Sequence, residues 1–284
     1  MRPDRDWSEK KYEKYLKEGR GDGCGKQYIP WIQVYKFHPK TGRTRIPGWT
    51  TGREHHLLSF LEQKFFLLLD WSDIVFDIQE QFPMLDYELA QKIAKELNWK
   101  YPINSRSNFP YILTTDFLVS YKENGREKKI AIAIKPSSAL KKWDKSCQPD
   151  EKNVLSRLEL EYRYWELKKI EWKLVTERQL PEVLTYNLNF IHGDLHLEAT
   201  TQNSIEELQI AVPTVKEHFA KFQGCEKSIY SITDYLDRTL KLQEGTAFRI
   251  FKHLIACKKI IVNLETFQLD ENPSMTLVKQ VVFS

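Results

Sequence analysis

The stretch LTTDFLVSYKENGREKKIAIAIK, Leu113–Lys135, sets two β-rich runs on either side of Asn124-Gly125. Asn-Gly is the strongest two-residue hairpin signal, because both central residues of a type I′ turn need positive φ. With these two residues as the loop, Glu123 pairs with Arg126, and counting outward places Ala133 opposite Asp116. Cβ atoms of such a pair lie about 5 Å apart. Lys135 stands two residues beyond Ala133 on the same face, so Asp116 and Lys135 become diagonal neighbours. A bulge would shift this register by one.

The second run, Ile130-Ala-Ile-Ala-Ile134, reads as a central strand buried on both faces. Pro136 holds Lys135 extended, since the residue before proline avoids the helical region. Upstream, Glu54–Asp70 follows a helical period, with Leu58, Phe65, Phe66 and Leu69 on one side and Glu62 in their midst. An extended segment, Ile74–Phe82, ends at Pro83, and a helix is expected near Asp86–Leu97. Downstream come a long helix, about Asn153–Lys169, and a short strand, Trp172–Thr176. This order predicts an α/β domain with a mixed sheet.

Composition changes at Pro181, which marks the expected boundary between residues 1–180 and 181–284. Beyond it helical patterns dominate, at about 204–222, Ser228–Leu242 and Thr246–Lys258. The last two flank Gln243-Glu244-Gly245, a tight turn of the helix-turn-helix kind. Ile260–Val262 and Leu277–Phe283 then read as a terminal hairpin. Together these predict an α-rich, winged-helix-like C-terminal domain. At the N-terminus, Ser8 is expected to cap a helix through Leu16. Gly19-Arg-Gly-Asp-Gly-Cys-Gly25 followed by Lys26 mimics a phosphate loop, but a helix precedes it and Gln27 replaces the required Ser or Thr. It reads as a flexible arm whose Arg20 and Lys26 could touch a DNA backbone.

The chain has 284 residues, 41% hydrophobic and 29% charged, which supports buried cores and excludes a disordered chain. No run approaches the ~18 apolar residues of a membrane helix, and the start has no apolar signal core. The expectation is a cytoplasmic protein with no membrane partner. Forty-three Lys plus Arg against 39 Asp plus Glu leave a net charge of +4, a weak surplus for a protein that grips DNA alone. Cys24, Cys147, Cys225 and Cys257 show no C-x-x-C spacing, so a zinc site is not expected. His55-His56 and the pair His192/His196 read as packing or surface histidines. Arg249 and Lys252, on the last helix, are candidate phosphate contacts, although Ile250, Leu254 and Ile255 mark much of that helix as core.

Glu62, Asp116 and Lys135 thus put three charges into apolar surroundings, which is costly unless they pair or bind a metal. One account is a structural ion-pair network closing the end of the sheet. The other is metal-dependent phosphodiester hydrolysis. Two carboxylates from different elements hold a hard divalent cation such as Mg²⁺, and a lysine alongside stabilises charge on the phosphate. A helix Glu, a strand Asp and an x-x-Lys on the next strand form the restriction-endonuclease-like arrangement.

EGRGDGCGKQYIPW, TGREHHLLSFLE, QEQFP, TTDFLV, IAIKP and LELEYRYWELKKIEW, in that order, resemble TnsA, the endonuclease subunit of heteromeric cut-and-paste transposases of bacteria. The resemblance covers about residues 15–180. It implies a restriction-endonuclease-like nuclease domain at 1–180 and a partner-binding domain at 181–284. It carries Glu62, Asp116 and Lys135 over as catalytic positions, with Glu62, Asp116 and the backbone carbonyl of Ile134 as ligands of Mg²⁺, or of Mn²⁺ in its place. It also implies cutting at the 5′ ends of transposon-end DNA beside a TnsB-like transposase and a TnsC-like ATPase regulator, close to the bacterial nucleoid. One departure stands out: two residues before the lysine such nucleases carry Glu or Gln, and this chain has Ala133. That residue brings a second reading, a catalytically silent assembly subunit bridging TnsB-like and TnsC-like partners. A third is a stand-alone repair or restriction nuclease of the same fold.

Overall fold

A computed structural model describes residues 5–34, 42–140, 149–271 and 273–283. They divide into two compact units, Met1–Leu180 and Pro181–Ser284. Cys147 lies outside the described residues.

The first unit is built on the hairpin. Strands β4, Thr114–Glu123, and β5, Arg126–Ile134, flank Asn124 and Gly125 at φ of 51° and 75°, the conformation a type I′ turn demands. The ladder runs from Glu123–Arg126 to Phe117–Ile132 without a bulge, so the register counted from the turn holds that far, one step short of Asp116 and Ala133. Two further strands complete a four-stranded sheet in the order β3-β4-β5-β6, with β3 at Val75–Pro83 and β6 at Glu171–Val175. β6 runs parallel to β5 and the other pairs are antiparallel, so the sheet is mixed as expected.

Preceding these come α1 (Glu9–Lys17), a small antiparallel pair β1 (Thr44–Pro47) and β2 (Glu54–Leu57), and α2 (Phe60–Trp71). The expected helix over 54–70 is therefore too long. His55 and His56 are strand residues, and the helix begins only where Ser59 supplies a cap, accepting from the Glu62 N–H at 3.1 Å. Ser8 stands at the start of α1 but makes no side-chain cap bond. Helix α3 (Tyr87–Glu96) is capped by Asp86, which accepts from the Leu89 N–H. A short turn of helix, α4 (Ser137–Leu140), and the long α5 (Pro149–Leu167) lie between β5 and β6.

The two faces of the sheet are covered by different helices. Leu118 and Ala131 pack with Leu160, Tyr164 and Trp165 of α5 and with Ile93 of α3. Phe117, on the opposite face, meets Phe65 of α2. Each large apolar side chain buried here contributes about 1.5–3 kcal/mol.

The glycine-rich segment is not a free arm. Gly25 N–H donates to Asp77 Oδ1, Gln79 Nε2 donates to the Gly23 carbonyl, and Arg53 Nε donates to the Gly25 carbonyl. Arg20 is buried, paired with Glu18 and set over the Tyr15 ring. The expected contact of Arg20 with DNA is thereby excluded, because its guanidinium is spent inside the fold.

In the second unit, α6 (Glu182–His192), α7 (Leu197–Thr200), α8 (Ile205–Lys221), α9 (Ile229–Leu240) and α10 (Thr246–Ala256) precede an antiparallel pair, β7 (Ile260–Val262) and β8 (Val278–Val281). Between α9 and α10, Gly245 takes φ 82°, and Asp237 accepts from the Gly245 and Ala247 N–H groups at 2.7 Å each. Arg249 and Lys252 both pair with the buried Asp194, and Lys252 is itself buried over Phe190. Lys252 is an interior cation of this unit, which corrects its reading as a phosphate contact, whereas Arg249 pairs with Asp194 from an exposed position.

Candidate active site

Asp116 lies on β4 between Thr115, which pairs with Phe82 of β3, and Phe117, the last β4 residue paired with β5. Its Oδ2 accepts from the Ile134 N–H at 2.6 Å and from Lys135 Nζ at 2.8 Å. Lys135 Nζ also donates to the Ile134 carbonyl at 2.8 Å. An ammonium thus lies between Asp116 Oδ2 and Ile134 O, the two atoms that the sequence reading assigns as cation ligands. Burial opposes the charge on Lys135, but the Asp116 carboxylate outweighs it and holds the ammonium above its ordinary pKa.

Glu62 enters from the first turn of α2, three residues after its cap. Its Oε2 accepts from the Leu58 N–H at 2.9 Å and its Oε1 from the Ser59 hydroxyl at 2.9 Å, close to a capping box. Gln81 Nε2 donates to the same Oε2 at 3.2 Å. Burial first, and then the negative charge of Asp116, push the Glu62 carboxyl up to about 7; Lys135 and the bonds from Leu58 and Ser59 oppose the rise. Glu62 and Asp116 therefore repel each other across one site, and each is drawn toward Lys135.

Ala133 is wholly buried in β5, level with Leu174 of β6, and contributes no polar side-chain atom. Among the described residues no three His, Cys, Asp or Glu side chains come together to hold a metal. The donor set still accepts a cation, because Lys135 already places positive charge between a carboxylate and a carbonyl oxygen. Glu62, Asp116 and the Ile134 carbonyl fit a hard ion, which takes oxygen ligands, but fill only part of its shell.

Two residues escaped the sequence reading. Glu161, on α5, is buried and accepts from the Thr115 hydroxyl and from Trp172 Nε1. Burial and the Asp116 charge raise its carboxyl, while Thr115 and Lys135 act the other way. A helical wheel could have found it, since Leu158 and Trp165, three back and four on, are core residues. Gln81 is the other, and no local pattern marks it. Arg157, also on α5, reaches the Thr114 carbonyl with Nη2 at 3.4 Å.

Of the two histidine pairs, His55, His56 and His192 are packed within the fold and His196 is exposed. His55 bonds Glu80 Oε2 through Nδ1 at 2.8 Å and Thr51 Oγ1 through Nε2 at 2.7 Å. His56 Nδ1 accepts from the Val34 N–H. His192 is buried on α6, and His196 lies 3.7 Å from Glu198.

The TnsA-like endonuclease N-terminal family model matches residues 72–177, and the TnsA endonuclease C-terminal model matches residues 179–264. The chain belongs to the TnsA endonuclease family. It is 35% identical over 251 residues to the Transposon Tn7 transposition protein TnsA of Escherichia coli, an alignment covering 88% of this chain and 84% of that protein. Gln81, Asp116, Lys135 and Glu161 all fall within the TnsA N-terminal match, whereas Glu62 precedes it. No described helix is long and apolar enough to cross a membrane.

Proposed function

We propose that the first unit is a metal-dependent DNA endonuclease that cuts the 5′ ends of a transposon, with Glu62, Asp116 and Lys135 as its catalytic residues. The supporting observation is the position of Lys135 Nζ, 2.8 Å from both Asp116 Oδ2 and the Ile134 carbonyl. These are two of the oxygens that, with Glu62, would hold Mg²⁺ or Mn²⁺. Such an ion supplies Lewis acidity at the phosphate. Asp116 fixes the Lys135 ammonium, and Lys135 is placed to turn toward the phosphate oxygens as charge grows on them. Glu62, poised at about 7, must shed its proton to serve as a ligand, so cation binding releases protons near neutral pH.

The second unit, read as winged-helix-like, is the partner-binding part. A TnsB-like transposase and a TnsC-like regulator would bring the nuclease to transposon-end DNA. The weak net positive charge agrees with a nuclease positioned by others. The competing reading, a non-cutting assembly subunit, rests on Ala133.

The deciding experiment incubates the purified chain with labelled transposon-end DNA, with and without both partners, in Mg²⁺ or in chelator. Cutting at 5′ ends only in the complete assembly and only with the ion is the expected result. Cutting by the chain alone points to a stand-alone nuclease, and assembly without 5′ cleavage to the silent subunit.

A further inference from the structure

Ala133 leaves the site short of one side-chain oxygen, and Gln81 offers one nearby. The pairs Glu80–Phe117 and Phe82–Thr115 bracket Gln81 and Asp116 across β3 and β4, and the β4–β5 ladder ends one step short of Asp116, at Phe117–Ile132. Gln81 and Asp116 therefore stand level on neighbouring strands, at the end of the ladder that leads toward Ala133.

Gln81 departs from strand geometry. It is a non-glycine residue at φ 49°, a conformation that persists in folded proteins where the surroundings over-determine it, often at functional sites. Residues two apart on a strand share a face, yet Glu80 meets His55, which packs against Phe66 of α2, while Phe82 packs on Trp165 of α5. Thr115 and Phe117 split in the same way, toward Glu161 of α5 and Phe65 of α2. Alternation thus breaks on both strands at Gln81 and Asp116. The break lets the Asp116 carboxylate take the Ile134 N–H and directs the Gln81 amide to Glu62.

The amide itself is lightly committed. Nε2 donates to Glu62 Oε2 at 3.2 Å, and Oε1 accepts from the Thr114 hydroxyl at 3.3 Å. A hydroxyl accepts as readily as it donates, so half a turn of the amide keeps Thr114 satisfied and points Oε1 toward the Glu62 carboxylate. No three acidic, imidazole or thiolate groups among the described residues come together to hold a metal, so neutral oxygens must help complete the shell of any ion, and a carboxamide oxygen is a ligand of the right hardness.

We infer that Gln81 is a metal ligand of this site, its carboxamide oxygen supplying the contact that position 133 lacks. The inference rests on the reading of Glu62 and Asp116 as cation-binding carboxylates. In the test, Mn²⁺ is titrated into the full chain by calorimetry without DNA, with melting followed in parallel, for the native protein, Asp116→Asn, Gln81→Gly and Gln81→Glu. Glycine removes the amide and accommodates the left-handed backbone, which offsets part of the cost of emptying a buried position, so Gln81→Gly should still melt cooperatively as a folded protein while binding Mn²⁺ about 10–100-fold more weakly, the range for disturbed metal shells. Gln81→Glu, which keeps an oxygen and adds charge, should bind at least as tightly as the native chain. If Gln81→Gly binds like the native protein while Asp116→Asn does not, the inference fails and the reading of the site stands. If Gln81→Glu binds as weakly as the glycine variant, Gln81 serves only as a donor to Glu62, and the inference fails in that way. Native protein that binds Mn²⁺ no better than Asp116→Asn removes the reading and the inference together.

Discussion

Asp116 and Lys135 meet through a single oxygen: Oδ2 of Asp116 accepts both the Lys135 ammonium at 2.8 Å and the Ile134 N–H at 2.6 Å. The carboxylate is therefore at once a partner of the charge and a support of the sheet. Its replacement by alanine would confound the two roles, since an unsatisfied N–H costs about 1–3 kcal/mol.

Asp116→Asn separates them. The amide oxygen still accepts from Ile134, so stability should fall by no more than about 1 kcal/mol, the worth of an ordinary hydrogen bond. Cleavage of 5′ ends by the assembled complex should drop by about 100-fold or more, as for loss of a key electrostatic group. Nicking assays on end-labelled DNA, beside a denaturant melt, check both halves; a variant that cuts normally would remove Asp116 from the mechanism.

Glu62→Gln should make the ion-free protein more stable at pH 8. The carboxyl rises from 4.5 to about 7 on folding, so between those values the folded state keeps a proton that the unfolded chain has released. Stability therefore falls as pH rises through that window. Glutamine escapes this loss and still serves the helix start, where Glu and Gln are interchangeable. The gain is about 3 kcal/mol at pH 8, shrinking toward nothing at pH 4. Urea melts at both values in chelator test it, and an equal effect at the two pH values would contradict the assignment.

Ala133→Gln should destabilise the first unit by about 1–3 kcal/mol through overpacking. Ala133 has no exposed surface and lies level with Leu174, so a longer side chain has no room without moving β6. A melting temperature unchanged from the native protein would show that the position opens toward the ion after all.

Arg53→Ala should cost about 3–5 kcal/mol, the usual penalty for stranding a buried charge. Burial works against ionised Glu80, yet His55 and Arg53 hold its carboxyl well below the ordinary range. Because this value is depressed on folding, the stabilisation is present above about pH 4.5 and fades as acid protonates the group. Denaturant melts of variant and native protein should accordingly converge at low pH.

Residues 181–284 expressed alone should fold, since Asp237, Gly245 and the Asp194 cluster are satisfied within that unit. In this fragment Asp237→Ala should lower stability by about 1–2 kcal/mol by freeing two helix-start N–H groups. Amide proton dispersion and a cooperative melt are the measures; a disordered fragment would overturn the division.

Much of this arrangement was legible because local chemistry controls it. Asn124-Gly125 sets the turn and the turn sets the register, so Asp116 and Lys135 could be paired by counting. Ser59 and Glu62 write the start of α2, but the apolar run before them kept a helical period and hid β2, which becomes a strand only through its pairing with β1 across residues 48–53. Gln81 left no trace, because a left-handed glutamine is imposed by the strands around it rather than by its neighbours in the chain. Arg20 and Lys252 looked like free cations for a similar reason: Glu18, Tyr15 and Asp194 neutralise or cover them only once the chain has folded.

The outer edge of β3 is closed by side chains instead of by another strand. Arg53 Nη2 donates to the Ile78 carbonyl at 2.7 Å, and the Tyr28 hydroxyl donates to the Glu80 carbonyl at 3.0 Å. An open sheet margin invites a foreign strand to zip onto it, and these two plugs take the acceptors such a visitor would need. A visiting strand therefore finds the Ile78 and Glu80 carbonyls of β3 already taken, which turns protein partners away from this margin of the sheet and toward other surfaces of the first unit.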